Sequence, residues 1–137
     1  MKELRLALTV DDYEAAVAFY RDALGLDELE IWTEGGRGVL LNAGRATIEL
    51  VDQAHAGTID RIEVGRRVAG PVRLALEVED SEAAAEALAR AGGELLGGPV
   101  ETPWRDRNVR VRAPDGMQLT LFTPGAAAPR PEDYGRK

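Results

Sequence analysis

Leu6, Leu8 and Val10 alternate with Arg5, Ala7 and Thr9 near the start of the chain. That period of two predicts a half-buried strand over 4–10, one face packed and the other turned into a cleft. Asp11 or Asp12 is placed to cap a following helix, in which Ala16, Phe19, Tyr20, Ala23 and Leu24 recur at helical spacing before Gly25 stops it. Three shorter strands are then expected over 27–33, 38–42 and 45–51. Glu34-Gly35-Gly36 and Ala43-Gly44 supply the turns between them.

The same order returns in the second half. A strand is predicted over 72–78, then a helix capped by Asp80 or Ser81 and ended by Gly92-Gly93. Strands follow over 94–100, 108–112 and 118–122, with Pro114-Asp115-Gly116 turning the last hairpin. The recurrence extends to the residues themselves: the run from Arg5 to Ala16 reappears from Arg73 to Ala84, about half a chain later, with changes only at Thr9, Asp11 and Tyr13. Two like modules imply an α+β fold of two β-α-β-β-β units whose curved mixed sheets enclose a shared cleft. Residues 1–123 read as one domain, with module 1 over 4–51, a connector over 52–70 and module 2 over 71–123. The proline- and alanine-rich stretch 124–137 reads as a loose tail or an arm on a partner. The connector shows little periodicity and reads as a lid, an interface segment or a linker.

Composition narrows the chemistry. The 137 residues, 45% hydrophobic, suffice for a real core. No apolar run is long enough to span a membrane, and the N-terminus lacks a signal peptide's apolar stretch, so a cytoplasmic protein with no membrane partner is expected. Without cysteine there is no disulfide frame, thiolate nucleophile or Cys-based metal site. A net charge of -7 argues against nucleic acid as a partner. Gly35-Gly36-Arg37-Gly38 has no following helix, and nothing matches a nucleotide-binding fingerprint.

Taken in order, Val10-Asp11-Asp12, Ala18-Phe19-Tyr20, Leu24-Gly25-Leu26, Ala46-Thr47-Ile48-Glu49-Leu50, Val78-Glu79-Asp80, Ala113-Pro114-Asp115-Gly116 and Leu119-Thr120-Leu121 give the chain a recognisable outline. It resembles the vicinal oxygen chelate superfamily, which includes glyoxalase I, bleomycin-resistance proteins and extradiol dioxygenases. The resemblance implies a site of four side chains, one from the first and one from the last strand of each module, which hold a divalent ion in the metalloenzymes. In this chain those positions are Arg5, Glu49, Arg73 and Thr120. Strand alternation separately puts all four on the cleft side, because Leu6, Leu8, Ile48, Leu50, Leu74, Leu76, Leu119 and Leu121 claim the other.

A guanidinium only donates hydrogen bonds and stays protonated, so Arg5 and Arg73 cannot ligate a cation. The expectation is therefore no metal, no cofactor and no assigned catalytic residue. Two uses of the trio stay open: Arg5 and Arg73 clamp Glu49 in place of a metal, or they leave donors for a ligand's carboxylate, phosphate or carbonyl oxygen. The arginines favour an anionic group and the acidic balance a cationic one. Thr120 is a minor hydrogen-bond partner. Trp104, in a polar loop, is a candidate stacking surface, a dimer contact or simple packing, and Trp32, at a strand end, a candidate stacking surface or simple packing. Arg110 and Arg112 line the cleft or, the reading preferred on sequence, a solvated strand face. His55 is a general-base candidate or inert, and Ser81 a cap.

The function expected is small-molecule binding of the bleomycin-resistance type, drug sequestration being one form, by a homodimer, as the resemblance implies. The alternative is a lyase, isomerase or dioxygenase-like enzyme with a non-standard metal site through Glu49, Glu77 or a partner chain, or with Glu49 as a base.

Overall fold

The computed structural model describes residues 1–23 and 25–125. Eight strands form one curved, unclosed mixed sheet in the order β2-β3-β4-β1-β5-β8-β7-β6. They are β1 (Leu4–Thr9), β2 (Glu28–Trp32), β3 (Gly38–Asn42), β4 (Thr47–Val51), β5 (Val72–Glu77), β6 (Glu94–Glu101), β7 (Asp106–Arg112) and β8 (Gln118–Pro124). The two modules therefore share a sheet within one chain. Their seam is the antiparallel pair of β1 and β5, centred on Leu6 opposite Leu74. Arg5 pairs with Ala75 and Ala7 with Arg73, so the repeated arginines sit symmetrically about that centre.

Alternation distributes the side chains as the sequence requires. On the convex face Val39, Leu41, Leu50, Leu8 and Ile48 pack with Val17, Ala16 and Tyr20 of the first helical segment. Val109, Val111, Leu121 and Leu76 pack with Ala84, Ala85 and Leu88 of the helix of module 2. The concave face keeps the polar members of the same strands.

Helix α1 (Tyr13–Val17) is capped by Asp12, whose carboxylate accepts from the Ala15 N–H at 3.0 Å. It continues as a π-helical segment over Ala18–Ala23. The wider winding shifts the register, and Phe19, expected on the buried face, is 61% exposed. Leu24 lies outside the described residues. In module 2, Asp80 caps the helix Ser81–Arg90, accepting from Ala83 N–H. Ser81 is not the cap: its hydroxyl donates to the Arg107 carbonyl at 2.8 Å. Strand β8 runs on to Pro124, so the start of the expected tail is ordered structure, and the rest of it, 126–137, lies outside the described residues.

The largest correction concerns the connector. Residues Gln53–Glu63 form an α-helix, α2, laid into the concavity of the sheet, and the Ser81–Arg90 helix is accordingly α3. Asp52 caps α2 through the His55 N–H at 2.8 Å, and the Gly65 N–H closes it on the carbonyls of Asp60 and Arg61. Glycines let the helix come close. A Cβ at Gly36 would stand 2.2 Å from the His55 nitrogen, and one at Gly97 would stand 2.2 Å from the Glu63 carbonyl oxygen. The turn after β2 thus seats the N-terminal end of α2, and strand β6 seats the C-terminal end.

Candidate functional site in the concave face

Arg5, Glu49, Arg73 and Thr120 rise from β1, β4, β5 and β8, the four central strands, and line one cavity with about 70 Å³ of room. Trp32 and Trp104 line it as well, so all six residues singled out on sequence meet there. The volume accommodates a few waters or a small headgroup.

The four strand residues hold one another. Arg73 donates from Nη1 to Thr120 Oγ1 at 2.9 Å and from Nη2 to Glu49 Oε1 at 3.3 Å. Arg5 lies 3.8 Å from Glu49 Oε2 and makes a two-pronged contact with Glu3, at 3.1 and 3.3 Å. Its guanidinium also stands over the Phe122 ring, 5.1 Å from the centroid. Glu3, which the sequence did not flag, accepts from Thr47 Oγ1 at 2.6 Å. Glu49 thus sits between two guanidinium groups, and both bonds that anchor Arg73 are buried.

Helix α2 extends the network. Glu63 Oε1 accepts from Thr120 Oγ1 at 2.8 Å and from Arg110 Nε at 3.1 Å, and its Oε2 accepts from Asn108 Nδ2 at 3.1 Å. Arg110 also donates from Nη1 to Asp60 Oδ1 at 2.9 Å and to Gln118 Oε1 at 2.8 Å. Arg110 is 0% exposed, which overturns the solvated-face reading: it is the buried anchor of α2. Arg112 does reach solvent, beside Glu94 at 2.9 Å. Burial works against ionisation of Asp60, but the N–H groups of Ala69 and Val68 and the Arg110 guanidinium outweigh it, holding this carboxyl below its usual range. The same carboxylate ties down the segment after α2 through Val68 and Ala69 N–H at 2.7 and 2.8 Å.

His55, on α2 rather than in a loop, stacks on Trp32 with centroids 6.1 Å apart and planes at 23°. It lines the cavity and is buried. Trp104 packs against Val51, Ala56 and Ile59, held there by the tight turn in which Thr102 Oγ1 accepts from Asp106 N–H.

Two further lining carboxylates, Glu30 and Asp106, escaped the sequence reading, and Glu77, there a possible metal ligand of the alternative enzyme, lines the cavity with them. Burial pushes Asp106 up to about 6, aided by the charges of Glu30 and Glu77 and opposed by Arg5 and the Trp104 indole N–H. Burial also raises Glu30, with Arg5 opposing and Glu49 reinforcing. The available signal for Glu30 was alternation, which gives it the parity of Trp32.

The donor set does not fit the divalent ion of the metalloenzymes. Two positions carry permanent cations, the Thr120 hydroxyl is engaged by Arg73 and Glu63, and Glu49 alone offers a carboxylate. Among the described residues no group of three or more His, Asp or Glu side chains is arranged to hold a metal, and no helix is long and apolar enough to cross a membrane.

Residues 4–121 match the family model described as the Glyoxalase/Bleomycin resistance protein/Dioxygenase superfamily. No curated protein matches the sequence. Among solved structures, the chain is similar to a hypothetical protein from Bacillus halodurans C-125, with a TM-score of 0.67, 17% identity, and 92% of this chain and 96% of that one covered. It is similar to a superfamily member from Vibrio splendidus 12B01, with a TM-score of 0.66, 14% identity, and coverage of 88% and 97%. It is also similar to a methylmalonyl-CoA epimerase from Mycobacterium tuberculosis, with a TM-score of 0.64, 20% identity, and coverage of 88% and 86%. At these identities the likeness is one of fold.

Proposed function

Because the chain belongs to the glyoxalase/bleomycin resistance protein/dioxygenase superfamily, we propose that its cleft serves metal-independent binding of a small molecule, of which drug sequestration is one form. The observation that carries this reading is Glu49 held between Arg73, at 3.3 Å, and Arg5, at 3.8 Å. An ion placed at the family position would meet two guanidinium groups, and seating it would strip a buried carboxylate of its partners. What remains accessible is a concave, partly aromatic cavity with convergent polar groups, the usual anatomy of a small-molecule site.

Native mass spectrometry of protein purified without chelator tests the proposal. The expected spectrum shows small-molecule adducts without a stoichiometric metal. A stoichiometric divalent ion lost on Glu49→Gln would refute it.

A second reading, proton-transfer catalysis without metal, is favoured by Asp106, whose raised pKa of about 6 suits a general base at neutral pH. Glu49 suits that role poorly, since both of its carboxylate oxygens are taken up by Arg73 and Arg5. Turnover abolished by Asp106→Asn with ligand affinity intact would select catalysis over simple binding.

A cytoplasmic homodimer belongs to the same proposal. Ile31 on edge strand β2 and Leu95 on edge strand β6 are 50% and 56% exposed, which supports apolar contact at the open edges of the sheet. Light scattering should give twice 14.8 kDa.

A further inference from the structure

The charge lining the cavity is one-sided. Glu3, Glu30, Glu49, Glu63, Glu77 and Asp106 face it, against Arg5 and Arg73. Arg73 already donates to Glu49 and Thr120, and Arg5 is engaged by Glu3 and Glu49. An anion entering the cavity would therefore meet carboxylates and compete for arginines that are already bonded.

We propose that the cavity takes a small organic cation, an alkylammonium or guanidinium-type headgroup held by Glu30 and Asp106 with the rings of Trp32 and Trp104 as its walls. This rests on the small-molecule-binding reading given above. Glu30 comes from β2 and Asp106 from β7, so the two modules each contribute a carboxylate to the same space. Their raised pKa values reflect burial without full compensation by cations, which is the deficit an ammonium ion would fill.

Of the buried side-chain atoms without a partner among the described residues, His55 Nδ1, Asn108 Oδ1 and Arg110 Nη2, the first two belong to residues of the cavity lining. Asn108 is 3% exposed and lines the cavity. Its amide nitrogen is fixed by the Glu63 carboxylate, which can only accept, and so the carbonyl oxygen is the end left without a partner. His55, 5% exposed and also lining the cavity, has an unpartnered Nδ1. A buried acceptor lacking a donor, Asn108 Oδ1, suits a ligand that is all donor. The indole faces add cation–π attraction, and about 70 Å³ of room fits a headgroup whose chain leads outward.

The chain has two tryptophans, both lining the cavity, so intrinsic emission reports directly on it. Titration of the full chain at constant ionic strength with butylammonium, butan-1-ol and butyrate separates charge from apolar fit. Butylammonium should saturate the emission change with an affinity at least about tenfold above that of butan-1-ol, and butyrate should produce no change. Glu30→Gln and Asp106→Asn should each erase most of that advantage, bringing the affinity for butylammonium down towards that for butan-1-ol. If one variant fails to fold, the other carries the test. Equal affinity for butylammonium and butan-1-ol, or tighter binding of butyrate, would overturn the cation claim while leaving small-molecule binding standing. If none of the three perturbs emission, both readings fall together.

Discussion

Arg73 donates one guanidinium nitrogen to Glu49 at 3.3 Å and another to Thr120 at 2.9 Å, joining the last strands of both modules inside the cleft. Replacing Arg73 by Met leaves the buried Glu49 carboxylate with the longer Arg5 contact alone. The expected cost is about 3–5 kcal/mol in urea unfolding. A Glu49→Met/Arg73→Met double variant should recover most of it, because burying neither charge avoids the desolvation penalty. If the single variant matches the parent, the clamp contributes nothing.

Asp106 sets a pH dependence of opposite sign to ordinary acid denaturation. Its pKa of about 6 in the folded protein exceeds the ordinary value of 3.8, so the native state holds the extra proton between those limits. Stability from this group is complete below pH 4 and is lost as pH rises through 6, a change of about 3 kcal/mol. Arg5, Glu30, Glu77 and Trp104 are the groups acting on it. Asp106→Asn should therefore be more stable than the parent at pH 7.5 and equal to it near pH 4, as thermal melts at both values will show. Asp60, held below its usual range, contributes the reverse: stability lost only as pH falls below about 4.

The close approach of α2 to β6 gives a steric prediction. Gly97→Ala would put a methyl 2.2 Å from the Glu63 carbonyl, displacing the helix end that presents Glu63 to Thr120 and Arg110. A loss of about 1–3 kcal/mol is expected. At Gly70 a Cβ meets nothing within 4 Å, and Gly70→Ala should stay within about 0.5 kcal/mol of the parent.

The strands were legible because their buried members are aliphatic and alternate cleanly, as at Leu6, Leu8, Leu74 and Leu76. The four family positions came from the resemblance, and that parity separately put them on the cleft side. Helix α2 was not legible, because the face it buries carries His55, Asp60 and Glu63 beside Ala56 and Ile59, so its helical spacing is not written in apolar residues. Arg110 was misread for the same reason. Alternation put it on the cleft side correctly, but its burial depends on the acidic helix that lies over it. Asp52 as a cap and Gly65 as a stop were the available traces of that helix. The ring stack of Trp32 on His55 needed it too. The π-helical winding after Val17 left no periodic signature, which is why Phe19 was placed inside.

Nickel titration by calorimetry, on the parent and on an Arg5→His/Arg73→His double variant, tests most directly whether the two arginines stand in place of a metal. The double variant places two imidazoles beside Glu49, and should bind one equivalent of Ni²⁺. The unsubstituted chain should give no saturable heat. One equivalent bound by the parent, abolished by Glu49→Gln, would contradict the metal-independent site.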